Sequence, residues 1–104
     1  MNFGLSKETT QLLGGAFLNF PLLEKVWLFG SRAKGNFREN SDVDLAVKFS
    51  QKSSTHLIDL MAALDDLPLL YKFDVVDIDS AEDQGLLAEI KEFGVVVCEG
   101  TIIQ

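Results

Sequence analysis

Apolar residues recur along the chain in two rhythms, and the switches between them mark its elements. Leu12, Leu13, Ala16 and Phe17 fall at helical spacing behind a Ser6-x-x-Thr9 start, which predicts a helix over 6–19 closed by Pro21. Gly14-Gly15 in its middle weakens that helix by about 1 kcal/mol per glycine. Val26-Trp27-Leu28-Phe29 is apolar on both parities and β-rich, as in a short strand buried on both faces. Gly30-Ser31 ends the strand, and 32–37 reads as a helical turn or a loop. Alternation then becomes strict over 42–49, with Val43, Leu45, Val47 and Phe49 on one face and Asp42, Asp44, Ala46 and Lys48 on the other. A helix over 53–67 carries Leu57, Leu60, Met61 and Leu64 as its stripe and stops at Pro68. In a third strand, 72–79, Asp74, Val76 and Ile78 oppose Phe73, Val75, Asp77 and Asp79. Ser80 opens a last helix bearing Leu86, Leu87, Ile90 and Phe93, with Gly94 as C-cap, and Val95 to Cys98 forms a fourth strand. This order predicts an α/β (α+β) sandwich: a small mixed sheet with helices packed on one face.

Composition narrows the class. A chain of 104 residues makes one compact domain, 1–104, and 47% apolar with 24% charged residues argues against intrinsic disorder. No apolar run approaches the roughly 20 residues that span a bilayer, and the amino terminus lacks a basic start and an apolar h-region, so a cytoplasmic protein is expected. The single cysteine excludes a disulfide framework, and Cys98, at the end of a valine run, reads as a small buried hydrophobe. The single histidine, His56, sits at a helix start and leaves histidine-based catalysis little to work with. A net charge of −7 disfavours nonspecific nucleic-acid binding and is compatible with a metal-binding carboxylate cluster or a basic partner.

Three places carry candidate chemistry. Asp42 and Asp44, two apart on a strand, point the same way with Cβ atoms about 6.5–7 Å apart, so their oxygens can converge on divalent cations. Read alone, such a pair is more often a solvated strand face than a metal site; its position where the chain leaves a loop favours a ligand. Gly30-Ser31 ends a buried strand, where backbone N–H groups and a hydroxyl can cradle phosphate oxygens, and Arg32 and Lys34 put positive charge nearby. Its other reading is an ordinary strand-to-helix turn with Ser31 as N-cap. Asp74 lies on the parity opposite Phe73 and Val75. A carboxylate there, on a strand beside the first pair, would complete a metal site and accept a proton from an attacking hydroxyl. Asp77 and Asp79 compete for that role but fall on the other parity, in solvent or capping the last helix.

Together these pieces form a signature. Gly30-Ser31, ten intervening residues, then Asp42-x-Asp44 resembles the glycine-serine and aspartate motif of the DNA polymerase β-like nucleotidyltransferase superfamily. The wording Leu-Phe-Gly-Ser-Arg-Ala-Lys-Gly followed by Ser-Asp-Val-Asp-Leu-Ala-Val looks like its minimal (MNT) branch, and Asp74 in Phe-Asp-Val-Val-Asp matches the third family carboxylate. The resemblance implies two-metal nucleotidyl transfer with ATP as substrate. Gly30 and Ser31, assisted by Arg32, would hold the triphosphate. Asp42 and Asp44 would ligate two Mg2+ ions, and Asp74 would ligate one of them and help activate the acceptor. Manganese suits the same oxygen donors.

Larger members of the superfamily carry further domains that bind the acceptor, and few residues here follow the third aspartate's strand. The resemblance therefore implies a partner: minimal nucleotidyltransferases pair with a small helical HEPT-family toxin, and as antitoxin transfer AMP to its tyrosine. Phe3, Leu5, Phe20, Leu22, Leu23, Leu69, Leu70, Ile102 and Ile103 cluster near element ends, as an interface or as the domain's own edge packing. Two other readings stay open: a binding module that neutralises its partner by occlusion, and a transferase acting on RNA ends or a small molecule.

Overall fold

In the computed structural model, which describes residues 3–51, 54–99 and 102–103, the order is α1 (Lys7–Leu18), β1 (Leu23–Phe29), α2 (Gly30–Lys34), β2 (Val43–Phe49), α3 (Ser54–Asp65), β3 (Phe73–Asp77), α4 (Gln84–Phe93), β4 (Val95–Glu99) and β5 (Ile102–Ile103). The strands make one mixed sheet in the order β3-β2-β1-β4-β5. Among the described strands only β2 and β3 are parallel, joined by the α3 crossover; β1 runs antiparallel to both β2 and β4, and β4 to β5.

Local chemistry sets the element ends. Ser6 Oγ accepts the Thr9 amide at 3.1 Å and caps α1. The helix runs through Gly14-Gly15 because Leu13, Ala16 and Phe17 on the same stretch are buried against the sheet. Gly35 ends α2 in the left-handed region at φ +83°, its amide donating to the Arg32 carbonyl. β1 starts three residues earlier than the apolar run suggests, since Leu23 pairs with Phe49 of β2. The last helix starts later than expected. Asp83 is its N-cap, and Asp77 organises the intervening turn, its carboxylate accepting the Asp79 amide at 2.9 Å. Asp77 is therefore buried rather than solvated, while Asp79 is exposed and bonded to Lys48.

The strict alternation of β2 divides the interior. Val43, Leu45, Val47 and Phe49 meet Leu13, Phe17, Leu60, Leu64 and Phe73 in the main core under α1 and α3. On the other face, Ala46 meets Phe29 and Ile90, flanked by Trp27, Val76 and Leu86. The expectation of helices on one face thus holds for α1 and α3 and not for α4, whose Leu86 and Ile90 cover the second face. Met61 leaves the predicted α3 stripe and is exposed, and Phe93 is partly exposed at the end of α4. Of the apolar residues near element ends, Leu5 and Leu23 are core, Phe3, Phe20 and Leu69 pack against it, and Leu70 is fully exposed. The side chains of Ile102 and Ile103 lie outside the described set. No described helix is long and apolar enough to cross a membrane.

Candidate active site

The parallel register puts Asp44 of β2 directly beside Asp74 of β3, and on its other side Asp44 pairs with Phe29, the last residue of β1. The chain leaves β1 through Gly30, so the start of α2 and both aspartates meet at one end of the sheet's second face. Gly30 has φ +74°, and a Cβ added there would stand 2.1 Å from Asp44 Oδ2. Glycine is required twice over: by the backbone conformation and by the carboxylate against it.

Crowding of anions shows in Asp44. Burial, then the charges of Asp74, Asp42 and Glu89, together with a hydrogen bond to Asp74, push its carboxyl up to about 6. Asp42 stands just before β2, half-buried, near enough to act on Asp44. Asp74 is exposed on β3, at the sheet's edge. Among the described residues no three His, Cys, Asp or Glu side chains are gathered closely enough to make a preassembled metal site. The donors nevertheless fit hard divalent cations. They are all carboxylate oxygens, Asp44 and Asp74 repel one another in a way a cation would relieve, and Gly30 leaves the approach to Asp44 clear of a side chain.

Arg32 does not take the place expected for it. It is 1% exposed, and its guanidinium donates to the backbone carbonyls of Phe3 (2.9 Å), Glu39 (3.2 Å) and Ser41 (2.9 Å), away from solvent. It lies over the Phe37 and Tyr71 rings, 5.1 and 5.0 Å from their centroids. Four of its five N–H donors are committed to the protein's own backbone, and the group is buried away from the surface. Lys34 takes the opposite course: it ion-pairs with Glu89 and lies 5.3 Å from the Phe93 centroid, lining a groove of about 530 Å³ between α2 and α4 with Leu86, Glu92 and Asp83. Ser31 is the second residue of α2, not its N-cap. That position falls to Phe29, which offers no side-chain hydrogen bond.

Glu89 is the residue the sequence did not single out. Its signal was there: it follows Leu86 by three and precedes Ile90, on the side of α4 that turns to the sheet. His56 lies 5.6 Å from the Phe49 ring, on the side of the sheet away from the aspartates, and burial pushes the Cys98 thiol up, as suits an inert core residue.

A family model described as "Polymerase beta, Nucleotidyltransferase" matches residues 16–101. No curated protein sequence matches. Among solved structures, the fold is similar to that of a toxin–antitoxin crystallised with AMP-PNP, at TM-score 0.66 and 25% identity over 86% of this chain and 73% of that one. A toxin–antitoxin complex, MntA–HpeT, carrying two aspartate-to-glutamate substitutions matches at TM-score 0.63 and 26% identity, over 91% of this chain and 74% of that one. A tri-AMPylated HEPN toxin in complex with MNT antitoxin from Shewanella oneidensis shares the fold at TM-score 0.59 and 23% identity, over 86% and 72% of the two chains.

Proposed function

This chain belongs to the polymerase β-type nucleotidyltransferase family, and on that premise we propose that it is an antitoxin that transfers AMP from ATP to a tyrosine hydroxyl of a partner HEPN-type toxin. The observation that carries the reading is the convergence of Gly30, Asp44 and Asp74 at one end of the sheet. A protein that acted by occlusion alone would have no physical need for a glycine held against a carboxylate that is itself pressed against another. The similarity to toxin–antitoxin structures, one with AMP-PNP and one altered at two aspartates, supports nucleotide as substrate and the aspartates as the working groups.

In this reading Asp42, Asp44 and Asp74 hold the divalent cations, which when bound neutralise charge on the triphosphate and the leaving pyrophosphate. Gly30 and Ser31 bind the β- and γ-phosphates through backbone N–H groups and the serine hydroxyl. Lys34, four residues beyond Gly30 and so on the same side of α2, is the cation that remains there once Arg32 is buried. The acceptor oxygen attacks the α-phosphorus in line, the bond to the oxygen bridging to the β-phosphate breaks, and pyrophosphate departs. Asp74, exposed at the sheet's edge where an acceptor can reach it, takes the hydroxyl proton.

The test is intact-mass spectrometry of a HEPN-type toxin co-expressed with this chain and without it, in ATP and Mg2+. One or more added adenylyl groups are expected, absent when Asp42 and Asp44 are both replaced by Asn. An unmodified toxin held in a tight complex, or neutralisation that survives the double replacement, refutes the transfer and leaves occlusion.

A further inference from the structure

We propose that Arg32 is a positioning residue that sets the carboxylate of Asp42 within reach of Asp44, so that divalent-cation binding depends on a guanidinium that never touches the cation. The inference rests on the metal-dependent reading above. Asp44 and Asp74 are held by the β2–β3 ladder, but Asp42 stands one residue before β2 and has no strand pairing of its own. What fixes its backbone is the residue before it. The Ser41 carbonyl accepts from both Arg32 Nε (3.3 Å) and Nη2 (2.9 Å), and the same Nη2 holds the Glu39 carbonyl at 3.2 Å. One planar group thus pins the loop that delivers Asp42 at two points.

The other side of the guanidinium reaches the second aspartate strand. Tyr71, its ring 5.0 Å from Arg32, leads through Lys72 into β3, and the Lys72 carbonyl accepts the Val43 amide at 2.9 Å, the first bond between the two strands' approaches. Phe37 covers the guanidinium at 5.1 Å, and Nη1 ties in the Phe3 carbonyl at 2.9 Å. A buried cation is costly unless its donors are satisfied, and here carbonyls and ring faces satisfy them without a carboxylate. Its environment is built for arginine: lysine keeps the charge, but a single ammonium cannot bridge three carbonyls in one plane while lying over two rings. Gly4 belongs to the same arrangement, since a Cβ there would come 2.8 Å from Arg32 Nη1.

The experiment compares Mn2+ binding by calorimetry and by electron paramagnetic resonance in wild type, Arg32→Lys and Phe37→Leu, with stability measured on the same samples. Wild type should bind Mn2+. Among folded molecules Arg32→Lys should bind it about tenfold more weakly, in the range lost with supporting groups around metal ligands. In the transfer reaction at saturating metal, kcat should fall while KM for ATP stays put, because Arg32 makes no contact with the triphosphate. Phe37→Leu, which removes one ring and leaves Arg32 in place, should show a smaller loss in the same direction and serves alone if Arg32→Lys does not fold. Folded variants that bind Mn2+ as wild type does overturn the inference and spare the proposed function, as does a KM for ATP that rises with kcat unchanged. Wild type that binds no Mn2+, with or without ATP, overturns the metal-dependent reading and the inference with it.

Discussion

Gly30 and Gly35 bound α2, and replacing each by alanine separates what the fold needs from what the chemistry needs. Both have φ in the left-handed region, +74° and +83°. An alanine in that conformation costs roughly 1–2 kcal/mol at either position. In a domain of this size about 1 kcal/mol lowers the melting temperature by roughly 4–8 °C. Space distinguishes the two sites. At Gly35 an added Cβ meets nothing within 4 Å, whereas at Gly30 it falls 2.1 Å from Asp44 Oδ2 and 3.0 Å from its Cγ. What must yield at Gly30 is chiefly the tip of a short side chain, with its Cβ, at 3.3 Å, giving slightly as well; turning that carboxylate aside costs little stability but removes it from Asp74. The two variants should therefore be equally destabilised in urea titrations. Only Gly30→Ala should lose transfer activity, by about 10²-fold, the cost of misplacing a reacting group by an ångström. If Gly30→Ala stays as active as Gly35→Ala, the contact between Gly30 and Asp44 has no part in the chemistry. If it is far less stable than Gly35→Ala, the carboxylate is not free to turn and the contact belongs to the core.

The pH dependence of stability follows from Asp44, whose carboxyl is raised from 3.8 to about 6. The folded state then holds this proton more tightly than the unfolded chain, so without divalent cations stability falls as pH rises from about 4 to about 6 and stays low above. Denaturant midpoints across that range should show the slope, and Asp44→Asn should flatten it and be the more stable protein at neutral pH. Glu89→Gln removes one of the anions acting on Asp44, so carbon-detected NMR should find Asp44 titrating lower. Because the Lys34–Glu89 pair is partly exposed, the same substitution should change stability by no more than about 1 kcal/mol. Leu60→Ala empties a fully buried position on α3 and should cost about 2–5 kcal/mol by chemical denaturation, with m unchanged.

How much of this was legible in the sequence depends on whether the information is local. Strand parity is local: alternation over 42–49 sorted Asp44 and Ala46 from Val43, Leu45 and Val47, and the two cores divide along that line. Register is not. Periodicity puts Asp74 on a given face of β3, but its standing beside Asp44 comes from the parallel pairing that the α3 crossover permits. The position of α4 is legible in the sequence. Trp27 and Phe29 are apolar on the parity opposite Val26 and Leu28, which requires cover on the second face as well as the first. A sheet with helices on one face would have left Phe29, Val76 and Ile78 in water; Ile90 and Leu86 of α4 cover them instead.

The placement of Arg32 follows from helical geometry once α2 is known to begin at Gly30. Successive residues of a helix turn by about 100°, so Lys34 stands about 40° from Gly30 and Arg32 about 200° from it. Two cations two positions apart on α2 cannot both face the phosphates that Gly30 would hold; one must point to the far side. The far side of α2 is where the 36–42 loop and the residues before β3 pass, and there Arg32 meets Phe37, Tyr71 and the Ser41 carbonyl. Lys34, on the near side, meets Glu89, the anion of α4 that acts on Asp44. The five residues of α2 therefore carry two separable tasks on opposite faces. One cation is placed beside the carboxylates and the other holds the loop that delivers Asp42. Under the proposed reading, substitutions at Lys34 should change how nucleotide binds, while substitutions at Arg32 should change how the metal ligands are held.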